Sequence, residues 1–333
     1  MVIEGIKRYK KKLEASGIDL SGYNTDETVA DIHDLLSVLK IDSVNLWGVS
    51  YSGGLMMAVL QNDPKRVRSL VLDSPLPTFI PIDEEEPNNF NEALTIYFNH
   101  VEKDSADKAF YSDLQQKFLS YFNSITGKVF YQPYLEKGTT DSVRIQYRKN
   151  ELLQVIIGNL FDDSNRKHLA FIITDIIKGN HGSYIKNTLD DLFRKNQAPD
   201  GMRISVYCAD QTAYHSEAVL HQLYQLYPYL AGYHINDVYR SMCDCWKVPA
   251  ISPLTKQRFY SAKPALLGDG EMDAACNPLY IDMIHYDMPN SQRFLFLNRS
   301  HGVGGKDWNS LMRQFLNNPY QKLVLENKAV IPY

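Results

Sequence analysis

The sequence predicts an α/β protein in which a parallel sheet is split in two by a long, mostly helical insertion. Three observations carry that expectation. Continuous apolar runs at residues 44–47 and 67–73 flank a helical pattern, the texture of strands buried on both faces of a parallel sheet. A second pair of such runs, at 265–267 and 294–297, returns near the other end of the chain. Between the pairs, from about 88 to 200, the pattern is helical and rich in Tyr, Phe, Leu and Ile, with no internal repeat.

Each element has its own signals. Asn24 and Glu27 are spaced as a capping box ahead of a helix over 24–41, where Val29, Ile32, Leu35, Leu36 and Leu39 share one face. The strand at 44–47 runs into a helix over 51–62, which Pro64 stops. The strand at 67–73 closes at Ser74-Pro75, and residues 83–89 read as a charged, proline-containing connector whose acids face solvent. A short strand is expected at 201–209, then further helices to about 246. Pro264 precedes the strand at 265–267, a helix separates it from the strand at 294–297, and an amphipathic helix at 307–317 ends before Pro319. The expected organisation is core at 1–79, helical cap at 80–249 and core again at 250–333.

Composition sets outer limits. The 333 residues are 44% apolar and 22% charged, ordinary for a globular protein able to bury a large core. A net charge of −4 gives no reason to expect nucleic acid or an anionic membrane as partner. No apolar run approaches a membrane span, and residues 1–12 are basic and polar, unlike a signal peptide. The 22 tyrosines suit either a cleft with amphipathic walls or simple packing between helices. Cys208, Cys243, Cys245 and Cys276 do not form a zinc pattern, and nothing suggests a cofactor.

The chemistry is concentrated at residues 44–54, Val-Asn-Leu-Trp-Gly-Val-Ser-Tyr-Ser-Gly-Gly. A strand turning abruptly into a helix would raise the Ser50 hydroxyl clear of the backbone, where a base can reach it. Such a turn needs small residues two before and two after the serine. Gly48 meets the rule, while Ser52 stands where glycine is usual. A base and an orienting acid follow in the order serine, acid, histidine, each just beyond a later strand. His301 lies in Ser300-His-Gly302 past the strand at 294–297, and Asp273 ends Gly270-Glu-Met-Asp past the strand at 265–267. Asp269, Glu271 and Asp73 are alternative acids, with Asp273 preferred for the slack it has to reach the imidazole.

These stretches resemble the α/β-hydrolases of the prolyl/tripeptidyl aminopeptidase type, peptidase family S33. The similarity takes in Asp19-Leu-Ser-Gly-Tyr-Asn-Thr25, Gly48-Val-Ser-Tyr51 and Arg66-Val-Arg-Ser-Leu-Val-Leu-Asp-Ser74. It continues through Ser205-Val-Tyr-Cys-Ala-Asp210, Cys243-Asp-Cys-Trp246, residues 264–273 and Ser300-His-Gly-Val303, so that it spans about 10 to 317 and is weakest in the cap. The resemblance implies an α/β-hydrolase sheet with a helical cap. It also implies release of short peptides or proline-containing residues from peptide N-termini through an acyl-enzyme on Ser50. Within it the Tyr51 N–H serves as an oxyanion donor, Asp210 becomes the anchor for the substrate's ammonium group, and Cys208 pairs with Cys243. A bridge there would contribute about 3–4 kcal/mol, leaving Cys245 and Cys276 free.

The resemblance begins partway through the family's framework, with only about forty residues and no strand pattern ahead of the elbow. The strand at 44–47 is therefore expected at an open edge, and the chain to be a fragment or to take its missing strands from another chain. The second oxyanion donor belongs to that missing part, and loss of one donor costs roughly 10²–10³ in turnover. Localisation is unreadable for the same reason. An esterase or other acyl hydrolase shares the same elbow and triad, and a non-catalytic binding protein could retain the fold alone. Epoxide hydrolases and dehalogenases carry aspartate at the elbow, which disfavours them.

Overall fold

The computed structural model describes residues 2–135, 138–192, 201–234 and 236–333, and the chain divides into two units. The first holds residues 2–86, 201–217 and 236–333; the second holds 87–192 and 218–234. In chain order the first unit contains α1 (Val2–Ala15), α2 (Thr25–Val38), β1 (Val44–Val49), α3 (Tyr51–Asn62) and β2 (Val67–Asp73). The chain leaves through α4 (Ile82–Lys103) to α5 (Ser105–Tyr111), α6 (Leu114–Ser124), β3 (Phe130–Leu135), β4 (Ser142–Tyr147), α7 (Lys149–Phe161), α8 (Leu169–Ile177) and α9 (Gly182–Leu192). It returns for α10 (Gly201–Tyr207), leaves again along α11 (Glu217–Leu226), and comes back with α12 (Arg240–Trp246). The remaining elements are β5 (Ala265–Gly270), α13 (Leu279–Asp287), β6 (Ser291–Phe296), α14 (Lys306–Asn317) and β7 (Val330–Pro332).

The apolar runs pair as the pattern requires. The sheet order is β1-β2-β5-β6-β7, parallel from β1 to β6, with β7 antiparallel at the far edge. Alternation along each strand sorts side chains to two cores. Leu70, Leu72, Ala265 and Leu267 face Met57 and Leu60 of α3 and Ile281 and Ile284 of α13. Val71, Leu266, Phe294 and Phe296 face Trp308, Leu311 and Phe315 of α14. Both faces of β2 and β5 are covered, which is why these strands read as apolar runs.

β1 is the terminal strand of this sheet, and the apolar stripe of α2 divides accordingly. Val29 and Leu36 are buried, whereas Leu35 and Leu39 are 56% and 57% exposed, as is Trp47 on β1 at 59%. The cap of α2 is as expected, with the Asn24 side chain accepting the Glu27 N–H at 2.9 Å.

Three expectations are corrected. Residues 83–89 are not a connector: they lie inside α4, where acids in the first turn suit the positive end of the helix dipole. Nor are all of these acids solvated. Asp83 and Glu86 are buried, the first facing His215 Nδ1 at 2.7 Å and the second accepting the Asn236 N–H at 3.1 Å. Residues 201–209 are helical, with α10 running on into a wider π-type turn at Cys208–Thr212. The strand propensity of the β-branched Ile204 and Val206 loses there to packing, because Ile204 and Tyr207 insert into a cluster with Leu20, Met242 and Trp246.

The same cluster ties α1, α10 and α12 together. Trp246 is fully buried, donates its indole N–H to Ser205 Oγ at 2.8 Å and meets the Tyr9 ring of α1 at 6.0 Å. A disulfide joins Cys208 to Cys243, with Cα atoms 5.2 Å apart, so α10 and α12 belong to the first unit. The second unit has a β3–β4 antiparallel pair and an aromatic core, with Phe118 5.5, 4.5 and 5.5 Å from Phe98, Phe122 and Tyr229. Many of its tyrosines pack with their hydroxyls paired, as where His181 takes Tyr121 at 2.7 Å and Tyr147 at 3.0 Å. Among the described residues no helix is long and apolar enough to cross a membrane.

The disulfide closes a loop with a sequence separation of 35 residues. Cys243→Ser should therefore lower unfolding free energy by about 3–4 kcal/mol. Urea unfolding with and without reductant measures this, and the variant should be insensitive to reductant.

Candidate active site

The register of the sheet decides what meets at its carboxyl edge. Val49 pairs with Asp73, Asp73 with Gly268, and Gly270 with Phe296. The segments that follow these strands, carrying Ser50, Ser74, Asp273 and His301, thus leave from one rim, where open α/β sheets bind ligands.

Ser50 stands at the strand-to-helix apex with φ 56° and ψ −128°. A side-chain-bearing residue avoids that region, and holding one there costs about 1–3 kcal/mol. Its backbone is tied on both sides: the N–H donates to Asp73 O at 3.0 Å, and the carbonyl accepts from Gly53 and Leu76 at 2.9 and 3.0 Å. Gly48 has no alternative, since a Cβ there would lie 2.3 Å from the Ser52 carbonyl oxygen. Ser52, the departure from the usual pattern, is accommodated by its hydroxyl. That group donates to Val49 O at 2.7 Å and accepts the Val49 N–H at 2.8 Å, bracing the turn.

Asp273 and His301 are in direct contact, with His301 Nδ1 2.7 Å from Asp273 Oδ2. The other oxygen of Asp273 accepts the N–H groups of Ala275 and Cys276, each at 2.8 Å, so the carboxylate is aimed before the imidazole meets it. The two loops touch through Gly270, where a Cβ would fall 2.1 Å from Ser300 O, and through Ser300 Oγ, which donates to Met272 O at 3.1 Å. Burial pulls the His301 pKa down. The hydrogen bond and charge of Asp273, with the charge of Asp73, more than reverse this and leave it above the ordinary 6.5.

The alternative acids have other tasks. Asp73 accepts the Val303 N–H at 2.8 Å, and its neighbour Ser74 accepts the Gly302 N–H at 2.9 Å, so this pair anchors the histidine loop. Burial raises the Asp73 carboxyl above its usual range, against the hydrogen bonds from Val303 and Ser74. Asp269 is fully buried and accepts the Gly270 N–H at 2.8 Å; burial, then the charge of Asp273, push its carboxyl well above the usual range. Glu271 accepts the Asn298 N–H at 2.9 Å.

Asp210 sits on the π-type turn, 2% exposed, with Oδ2 2.5 Å from Thr25 Oγ1 and 3.4 Å from the Tyr51 hydroxyl. A small recess lies beside it, lined by Thr25, Tyr51, Gly54, Asp210, Gln211 and Lys256 among others. Sequence reading missed Thr25, Ser74, Lys256 and Cys276. Only the position of Ser74 directly after a strand end could have signalled one of them. The fully buried Cys276 thiol lies beside the Ser50 hydroxyl, and burial pushes it well above its usual pKa. Among the described residues no group of three or more His, Cys, Asp or Glu is placed to hold a metal ion.

A family model described as the alpha/beta hydrolase fold matches residues 9–132. The fold is that of an α/β-hydrolase. No curated protein matches the sequence. Among solved structures, a Bacillus megaterium epoxide hydrolase bound to an inhibitor is 14% identical, over 90% of this chain and 78% of that one, with a TM-score of 0.41. An esterase from Exiguobacterium antarcticum is 12% identical, over 91% and 76%, with a TM-score of 0.34. The 2-hydroxy-6-oxo-6-phenylhexa-2,4-dienoate hydrolase of Rhodococcus sp. strain RHA1 is 12% identical, over 89% and 68%, with a TM-score of 0.32.

This geometry makes two predictions. A His301 acting as a base must be neutral to accept a proton, so its raised pKa would move the acidic limb of kcat/KM to above 6.5, with activity rising as pH rises through it. A pH–rate profile measures the limb. Asp273→Asn should lower turnover by about 10⁴ and bring the limb down, because the imidazole loses both its tautomer lock and its counter-charge.

Proposed function

We propose that the protein is a serine acyl hydrolase, and that its substrates are peptides attacked from the N-terminus. The observation carrying the reading is the 2.7 Å Asp273–His301 pair on the sheet edge that also presents Ser50 in a strained apical conformation. In the proposed reaction Ser50 Oγ attacks the acyl carbonyl while His301 takes its proton. The Tyr51 N–H receives the oxyanion, for the first N–H groups of a helix have no intrahelical acceptor. Collapse expels the leaving amine or alcohol, which receives the proton from His301, and an acyl-enzyme remains. Water, deprotonated by His301, then releases the acid and restores the serine.

The aminopeptidase assignment is finer and rests on two supports. One is the resemblance of the elbow, the 205–210 segment and the acid and histidine loops to S33 enzymes. The other is Asp210, a carboxylate at a recess that also contains Tyr51, the residue after the nucleophile. Burial raises its pKa, against the hydrogen bonds from Thr25 and the charge of Lys256. A substrate ammonium would supply further opposite charge there.

A fluorophosphonate probe should label the wild-type chain at Ser50 and fail to label Ser50→Ala, whose turnover should fall by on the order of 10⁶. No labelling of a folded protein would remove the acyl-hydrolase reading and leave a binding role. If the peptidase assignment holds, free-amine peptide amides are cleaved and their N-acetylated forms are poor substrates. Cleavage of simple esters with no turnover of any peptide amide would make the protein an esterase.

A further inference from the structure

Tyr51 is engaged at both ends. Its N–H, the oxyanion donor of the proposed reaction, is at the first position of α3, while its hydroxyl is held by residues from two distant elements. Thr25 comes from the start of α2 and Asp210 from the π-type turn after α10. Thr25 Oγ1 is 2.5 Å from Asp210 Oδ2 and 2.8 Å from the Tyr51 hydroxyl. The carboxylate only accepts, so the threonine hydroxyl donates to it and in turn accepts from the tyrosine. The result is a one-way chain, Tyr51 O–H to Thr25 O–H to Asp210, and the Thr25 N–H reaches the same carboxylate at 3.3 Å. Burial raises the Tyr51 pKa, so the phenol stays a donor. Lys256 donates to the main-chain carbonyl of Asp210 at 2.8 Å. Burial lowers its pKa to about 8, with the charge of Asp210 opposing.

Nothing in this chain requires a substrate ammonium. We infer that Asp210 is a positioning residue for the chemical step: through Thr25 it fixes the Tyr51 side chain, and through Tyr51 it holds the peptide N–H that receives the oxyanion. The inference rests on the acyl-hydrolase reading and goes beyond it, because it gives Asp210 a task on substrates that carry no amine. The physical reason is the sensitivity of such a donor to placement. A misplacement of about 1 Å can cost 10² in rate, and a helix's first residue is the one least restrained by the helix itself.

The test uses the whole chain and p-nitrophenyl butyrate, a neutral ester that an ammonium anchor cannot recognise. Tyr51→Phe and Asp210→Asn should each lower kcat by about 10- to 100-fold with KM unchanged. They should weaken binding of an alkyl boronic acid, which forms a tetrahedral adduct on the serine, by the same factor. The double variant should be little worse than either single one, as expected of groups acting as a unit. Thr25→Ser should restore what Thr25→Val loses, since only the hydroxyl is needed. Urea unfolding controls for folding, and Tyr51→Phe, which removes a single oxygen, decides the matter if Asp210→Asn does not fold. Wild-type kcat on the ester in Tyr51→Phe and Asp210→Asn, with any loss confined to KM for free-amine peptides, would overturn the inference and leave Asp210 as an anchor alone. A fall in kcat with unchanged boronic acid affinity would overturn it too. Absence of wild-type ester turnover together with absence of Ser50 labelling would instead sink the acyl-hydrolase reading itself.

Discussion

The backbone of Ser50 is held at a positive φ, and most of what surrounds it exists to keep it there. A residue with a side chain pays about 1–3 kcal/mol for such a conformation, which relaxes unless neighbouring hydrogen bonds oppose it. Here they come from three directions: the Asp73 carbonyl, the first turn of α3 and the backbone of Leu76 beyond β2. The Ser52 hydroxyl adds a fourth restraint by closing on both polar groups of Val49. A glycine at 52 would leave the turn without that brace, so the departure from the usual motif is itself a structural device.

The elbow and the histidine loop share a strand end. Asp73 accepts the Ser50 N–H through its carbonyl and the Val303 N–H through its carboxylate. One residue therefore couples the turn at Ser50 to the loop that carries His301. The aspartates nearby are sorted by what surrounds each one. Asp273 has two backbone N–H groups and an imidazole; Asp269 has complete burial and one backbone N–H, and its carboxyl is pushed well above the usual range. Of the two, Asp273 is the one in direct contact with the imidazole.

On the flank of the same elbow, the recess combines a buried carboxylate, a lysine of lowered pKa and the Tyr51 hydroxyl. In the proposed reaction chemistry and recognition both draw on Tyr51, whose main chain would serve the first and whose side chain borders the recess.

The strands, the elbow and the helix that follows were legible because their signals are local. Continuous apolar runs need two covered faces, and glycine before a serine marks a tight turn. The histidine was legible from its place just past a strand end. Other features were not. The strand expected at 201–209 is a helix because Trp246 and the Cys208–Cys243 bridge overrule local propensity, and the acids at 83–86 are partly buried because His215 and Asn236 come to meet them. β7 escaped notice because three residues are too short to show a period.

The sequence by itself determined that a parallel sheet would present a serine at a strand-to-helix turn, with an acid and a histidine following in order. Which carboxylate faces the imidazole, what Asp73 does instead, and whom Asp210 touches were decided only by the tertiary structure. The reason is physical: each of those partnerships joins groups from separate parts of the chain, and their meeting depends on strand register and packing, which no local pattern encodes.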